Sequence, residues 1–351
     1  MDTRRQFLRN SALALGSSPL LMSTGASAAL GSSRPAHLRP RSVDPRWHRL
    51  EDAVNHRFVR SSDGVRLHYV AAGSGPLVVF VHGFPGWWWT WRMQMSALMD
   101  NYTVAALDMR GYGDSGQPRG SAAYHATQLM NDIAAVIRHT GNDHATVVGH
   151  DFGGASIWPL AGFQANLVPR LAVLNAPHPA AMFNVLRSSA AQRKAFSYSQ
   201  MARRVDASTR PLPRQLSEKL GNYYSHWSAD VLALVLSANE LPEFKTHKKA
   251  MKRSSIRSAL AYYRANIPPT PYPKPDPLIA NLRIPVPTLM VWGMKDEFLL
   301  PPLLDASLKY IDGPLEVARI ENADHFVHNQ QPELVSATLL DWLQRTDSLL
   351  A

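Results

Sequence analysis

Short apolar runs and longer amphipathic stretches take turns along most of this chain. His56 to Val59 and Val65 to Ala72 alternate apolar and polar positions on either side of Ser61, Ser62, Asp63 and Gly64, a pattern that predicts a two-stranded hairpin. Leu77 to Val81, Thr103 to Leu107, Ala145 to Val148 and Leu171 to Leu174 are instead continuous apolar runs, as expected of strands buried on both faces. Between them, Gln128 to His139, with Ile133, Val136 and Ile137 on one side, and Ala155 to about Ala165 carry a helical period. Strands and helices in this order predict an α/β fold with a mostly parallel central sheet flanked by helices.

The alternation stops after Asn175. From residue 176 to 284, helical stretches such as Arg214 to Tyr224, Ala229 to Ala238 and Ser254 to Tyr263 replace strands, which predicts a helical cap inserted into the sheet domain. The earlier pattern then resumes, with Pro287 to Trp292 and Leu315 to Ile320 as strands and Pro301 to Tyr310 and Pro332 to Leu343 as helices. The core is therefore expected in two pieces, residues 56–175 and 285–351.

The first 28 residues have a different character. Thr3, Arg4, Arg5, Gln6, Phe7 and Leu8, the modestly apolar Ala12 to Met22 and the small-residue series Ala26, Ser27, Ala28 are the three parts of an export signal of the twin-arginine type. Cleavage is expected near Ala28, giving a periplasmic or secreted product. Residues 29–55, rich in Ser, Arg and Pro and without a clear period, read as a linker or loosely packed arm. Past the N-terminal segment no apolar run reaches about 18 residues, so no stable membrane anchor is expected.

Composition narrows the chemistry. The 351 residues contain no cysteine, which excludes disulfides and thiolate metal sites. The formal charge is +10, and residues 181–260 hold 14 Lys plus Arg against 5 Asp plus Glu, read as a solvated basic face of the cap. No nucleic-acid motif accompanies that charge, so no nucleic-acid partner is expected.

The stretch Gly149, His150, Asp151, Phe152, Gly153, Gly154 joins a strand to a helix, and its small residues permit a very tight turn with Asp151 at the apex. This is the geometry of a nucleophile elbow carrying a carboxylate. A carboxylate attacks saturated carbon to leave an ester that water can cleave, whereas attack on an ester carbonyl would give an anhydride. Opening of epoxides or displacement of halide follows, and ordinary esterase work does not. A helix-capping Asp is the bland alternative.

Other stretches supply partners. His82, Gly83, Phe84 and Pro85 follow a buried strand, where the amides of Phe84 and Phe152 are candidates for an oxyanion hole. Pro85 is a candidate for a cis bond that fixes this loop, and His82 is read as holding it by hydrogen bonds. Pro85 and, of the tryptophans that follow, Trp88 and Trp91 are candidate walls of an apolar substrate pocket, with packing of the first helix as the alternative for the tryptophans. His325 is the candidate base and Asp296 its orienting acid, each in a loop after a strand. His328 rivals the base, and Asp324 and Glu297 rival the acid.

With these residues in view, the chain from about Phe58 to Trp342 resembles the epoxide hydrolases of the α/β-hydrolase fold. His82-Gly83-Phe84-Pro85, Trp91-Arg92, Asp108 to Ser115, Gly149 to Gly154 and Asp324-His325 carry the likeness. The resemblance implies two cap tyrosines that hydrogen-bond the epoxide oxygen. Tyr263, in Tyr262-Tyr263-Arg264-Ala265-Asn266, matches the second, and Tyr198, in Phe196-Ser197-Tyr198, suggests the first without the usual aromatic continuation. It also implies a small-molecule epoxide as substrate and a vicinal diol as product; no metal or organic cofactor is expected, and the chain is expected as a monomer or homodimer. Dehalogenation on the same fold is the rival. Haloalkane dehalogenases usually place Trp after the nucleophile, and fluoroacetate dehalogenases place arginines there, whereas this chain has Phe152 and Ala155. A ligand-binding protein without turnover is a third reading.

Overall fold

The computed structural model describes residues 45–204 and 256–349. The helices expected over Arg214 to Tyr224 and Ala229 to Ala238, and the export signal, lie outside the described residues.

Eight strands form one sheet: β1 (Asn55–Arg60), β2 (Arg66–Ala72), β3 (Leu77–Val81), β4 (Thr103–Asp108), β5 (Thr146–His150), β6 (Arg170–Leu174), β7 (Thr288–Gly293) and β8 (Leu315–Ile320). Their spatial order is β1-β2-β4-β3-β5-β6-β7-β8. The hairpin strands are antiparallel, with Arg57 opposite Tyr69, and β2 is antiparallel to β4; every later pairing is parallel. The α/β-hydrolase fold read from the sequence is thus borne out, with the mostly parallel sheet it requires.

Around the sheet lie α1 (Pro45–Ala53), α2 (Arg92–Leu98), α3 (Ala126–His139), α4 (Phe152–Phe163), α5 (Pro179–Ser188), α6 (Ala190–Ala195), α7 (Ser197–Arg204), α8 (Ile256–Asn266), α9 (Pro302–Leu308) and α10 (Pro332–Thr346). Strand periodicity divides the core in two. Along β3, Leu77, Val79 and Val81 pack with Ile133, Ile137, Ile157 and Trp158, while Val78 and Phe80 face Met95, Leu98, Leu339 and Trp342.

The segment read as a loose arm ends in α1, whose Leu50 is fully buried in the second of these clusters. Its sequence PRWHRLEDA offers only two large apolar residues, too few for a period to be visible. Removing a fully buried leucine from water contributes about 2 kcal/mol toward docking this helix against α2.

Between β6 and β7, in the stretch expected as a cap, the described helices include α5 to α8. The last of these is tied to the core along its length. Tyr124 donates its hydroxyl to Ser258, Tyr262 donates to the Arg110 carbonyl, and Asn266 both accepts from the Ala126 amide (2.8 Å) and donates to the Tyr124 carbonyl (2.9 Å).

Candidate active site

The strand order reverses between β3 and β5, which lie side by side although β4 follows β3 in sequence. Open α/β sheets have their ligand crevice at such a point, beyond the carboxyl ends of the strands. Register pairs Val81 with Gly149, so the loop after β3 and the turn after β5 meet there.

Asp151 occupies that turn with φ 51° and ψ −120°, a region costly for a residue with a Cβ, on the order of 1–3 kcal/mol. Close packing holds it: a Cβ on Gly153 would lie 2.2 Å from the Val81 carbonyl oxygen, so only glycine lets α4 approach β3. On the other side, a Cβ on Gly83 would lie 2.3 Å from the Asp151 Cβ. The carboxylate therefore sits directly on backbone, and the Phe84 amide donates to Asp151 Oδ1 at 2.8 Å. Oδ2 is left facing His325, whose Nε2 is 3.5 Å away. Asp151 makes no side-chain cap to α4, which removes the helix-cap alternative.

His82 holds its loop. Its Nε2 accepts from the Met109 amide at 3.0 Å, so the ring proton is on Nδ1 and is donated to the Gly83 carbonyl at 2.8 Å. Burial keeps this imidazole below its usual pKa, consistent with a neutral hinge pin. The Phe84–Pro85 peptide is cis and Pro85 is buried.

The triad loops follow β7 and β8, whose last residues Gly293 and Ile320 are register partners. His325 Nδ1 donates to Asp296 Oδ2 at 2.8 Å. That oxygen also accepts from Asn175 Nδ2 at 2.8 Å, while Oδ1 accepts from the Phe298 and Leu299 amides, both at 2.8 Å. Four donors around a fully buried carboxylate keep it acceptor-only and fix the tautomer of His325.

His325 is 2% exposed between two carboxylates. Burial alone would depress it, but Asp296 and Asp151 outweigh burial and raise it to about 10. Burial in turn pushes the Asp151 carboxyl up, and the bonds and charges of His325, His150 and the Phe84 amide bring it net below the ordinary range. Both shifts run in the direction that favours a carboxylate beside an imidazolium.

The rival residues stand elsewhere. Asp324 Oδ1 accepts the Phe326 amide, and Glu297 is exposed. His328 Nε2 meets Thr90 Oγ1 at 2.9 Å, its ring stacks on Trp91 at 4.4 Å, and burial holds it well below its usual pKa.

Two cap tyrosines stand at the carboxylate. Tyr263, on α8, packs edge-on against Phe84 (5.8 Å) and Phe152 (4.9 Å), the residues that flank Asp151. Tyr198, on α7, packs against Tyr263 (5.9 Å) and Phe298 (5.5 Å), and its hydroxyl shares a hydrogen bond with that of Tyr263. Burial, then the charges of Asp151 and Asp296, raise Tyr198 well above its ordinary pKa, so it stays a proton donor.

Trp88 and Trp91 are corrected by the structure. Both belong to the core cluster formed with α2 and α10, at 4% and 0% exposure, and neither lines the crevice. A 3₁₀ turn over Trp88–Trp91 directs them into the sheet's other face. Another finding has no sequence signature: His68, Asp108 and Asp114 bring ligand-type atoms within 4.8 Å of one another. Asp108 is already engaged there, Oδ1 by the Trp88 amide and Oδ2 by His68 and the Asp114 amide, so the grouping fits a loop anchor rather than a metal centre.

Two supporting residues escaped sequence reasoning. Asn175, with φ 39°, accepts from the Gly293 amide at 2.9 Å and donates to Asp296; an asparagine closing a strand was its only signal. His150 donates Nε2–H to the His325 carbonyl at 2.8 Å, and burial, then the charge on His325, lowers it to about 4.

Known proteins place this arrangement. Residues 76–332 match the family described as the alpha/beta hydrolase fold. Over 317 residues the chain is 30% identical to epoxide hydrolase 3 of Xenopus tropicalis, spanning 87% of this chain and 82% of that one. It is also 30% identical to the AB hydrolase superfamily protein YfhM of Bacillus subtilis, over 84% of this chain and 99% of that protein. The crystal structure of Bacillus megaterium epoxide hydrolase bound to an inhibitor superposes with a TM-score of 0.70 at 27% identity, covering 82% of this chain and 100% of that one. The chain is a hydrolase of the α/β-hydrolase fold family and belongs among its epoxide hydrolases.

Proposed function

We propose that the protein opens a small epoxide to a vicinal diol through an ester on Asp151. The observation that carries this reading is the division of labour at the Asp151 carboxylate. Oδ1 is tethered by the Phe84 amide, Oδ2 faces the crevice, and His325 bridges to the buried Asp296.

In the first step Oδ2 attacks an epoxide carbon and the ring C–O bond breaks. Hydroxyls of Tyr198 and Tyr263 hydrogen-bond the departing oxygen. The proton for the new hydroxyl comes, on balance, from His325, because esterification removes one of the two carboxylate charges that held its imidazolium. Loss of that charge turns His325 into a base.

In the second step a water attacks the ester carbonyl carbon. His325 takes one of its protons, and the oxyanion on Oδ1 is met by the Phe84 amide and by the Phe152 amide, which opens α4 without a partner in its own helix. Collapse sends the second water proton to the leaving diol and restores carboxylate and imidazolium.

Phe152 favours epoxide over halide, since its ring packs on Tyr263 and has no N–H to bind a halide ion. A single turnover of styrene oxide in H₂¹⁸O tests the mechanism. Label is expected in the Asp151 carboxylate and not in the first diol formed; label in that diol would mean direct attack by water. Export is part of the same reading, motivated by Arg4 and Arg5 before Phe7-Leu8, and fractionation of an Arg4→Lys/Arg5→Lys chain tests it.

A further inference from the structure

The loop that carries the triad acid is held by a side chain of the cap. Gln192, on α6, is 1% exposed. Its Nε2 donates to the Phe298 carbonyl at 2.7 Å and its Oε1 accepts from the Leu300 amide at 3.0 Å. One primary amide thus satisfies both ends of a three-residue segment. Within that segment the Phe298 and Leu299 amides fix Asp296 Oδ1, and the Phe298 ring packs on His325 (5.6 Å) and Tyr198 (5.5 Å). The Ser189 hydroxyl accepts the Gln192 amide at 3.1 Å and so places the residue at the start of its helix.

From this we infer that Gln192 is a positioning residue for ester hydrolysis, coupling the cap to the Asp296–His325 pair. The inference rests on the two-step reading above. Attack by Asp151 depends on the elbow, on the Phe84 amide and on the two tyrosines: Tyr263 lies on α8, which is anchored to the core through Ser258, Tyr262 and Asn266, and Tyr198 lies on α7 and meets the Asp296 loop through the Phe298 ring. Activation of water depends on where Asp296 holds His325, and Gln192 sets the backbone that cradles Asp296. Loss of Gln192 therefore acts mainly on the second step, because it loosens the backbone that cradles Asp296, whereas the first step feels it only through the Phe298 ring against Tyr198 and His325.

The test uses the full chain with Gln192→Met, which keeps the volume and removes both bonds, and styrene oxide as the probe. Rapid-quench mass spectrometry measures formation and decay of the enzyme ester. Ester hydrolysis is expected to slow by about tenfold or more, while alkylation changes by less than about threefold. Ester then accumulates, and kcat and KM fall together with kcat/KM preserved. A residue that only stabilises the fold would lower kcat and kcat/KM together by reducing the active fraction, and that outcome overturns the inference. If the Met variant does not fold, hydrogen exchange on the wild-type protein decides the matter: the Leu300 amide must be protected, and exchange at an open-loop rate overturns the proposal. Wild-type turnover and ester trapping by His325→Gln are run alongside. Loss of both defeats the epoxide reading and the inference with it, whereas a wild-type partition in Gln192→Met defeats the inference alone.

Discussion

Replacing Asp296 by Asn separates geometry from proton chemistry at one position. The amide oxygen can still accept the Phe298 and Leu299 amides that now bind Oδ1. Its nitrogen then occupies the place of Oδ2, where it confronts two donors, Asn175 Nδ2 and His325 Nδ1, each at 2.8 Å from the present oxygen. The ring escapes the clash by giving up its Nδ1 proton and keeping the one on Nε2, which leaves no lone pair toward the water. The wrong tautomer in a comparable triad lowers kcat by about 10⁴, and a similar loss is expected for ester hydrolysis here. Asn175 Nδ2 keeps its longer bond to the Gly293 carbonyl at 3.4 Å, and the loss of an acceptor for its other N–H in a buried site costs a further ~1–3 kcal/mol of stability. Attack by Asp151 needs no base, and the tyrosine hydroxyls and His325 Nε2–H still donate to the departing oxygen, so alkylation continues and the first equivalent of styrene oxide is consumed in a burst. Intact mass after mixing would show nearly stoichiometric ester. Turnover within tenfold of wild type, or a slow reaction without ester, would refute the role assigned to Asp296.

The tyrosines should give the opposite partition. Tyr263→Phe and Tyr198→Phe each remove a donor to the epoxide oxygen, so the first step slows by about tenfold to hundredfold and no ester builds up in rapid-quench measurements. Abundant ester in either variant would contradict that assignment. Acid sensitivity offers a prediction away from the crevice. His178 is buried, stacked on Tyr310 at 4.3 Å, and burial, then Arg283, lowers it to about 3. Its folded pKa lies below that of the unfolded chain, so protons bind the unfolded state first, and stability is lost as pH falls from about 6.5 toward 3. At pH 4.5 this amounts to about 2.5 kcal/mol. Urea unfolding should show the stability of wild type relative to His178→Phe declining by that much between pH 8 and 4.5; a constant gap would show that His178 does not titrate so.

Local chemistry was the legible part of this site. Leu77–Val81 and Leu315–Ile320 are strands at the residues where their apolar runs begin and end. Asp151, Asp296 and His325 stand out because glycines, strand ends and residue type mark them without reference to anything distant. What could not be read is contact made across the chain. His150 and its carbonyl partner at His325 are 175 residues apart, and nothing near His150 announces the bond. The tryptophans show the same limit from another side. Four in close succession declare burial, but which face of the sheet they enter depends on the 3₁₀ turn over Trp88–Trp91. Helix α1 was missed because its sequence offers only Trp47 and Leu50 as large apolar residues, and two make no pattern.

Strands β6 and β7 are neighbours, with Leu174 opposite Val291, although the whole cap is spelled out between them. This fixes a sequence of events during synthesis. The elbow and its β3 loop emerge early and can pair locally, but the acid and the base arrive only with the last strands, and Asn175 must wait across 121 residues for Asp296. Closing so long a loop is entropically slow, and its reward comes only when β7 and β8 dock. On the proposed mechanism, a nascent chain stopped before β8 carries Asp151 without the His325 that would release an ester from it. Recovery of turnover during refolding consequently reports completion of the entire sheet, later than any spectroscopic sign of the β3–β5 nucleus.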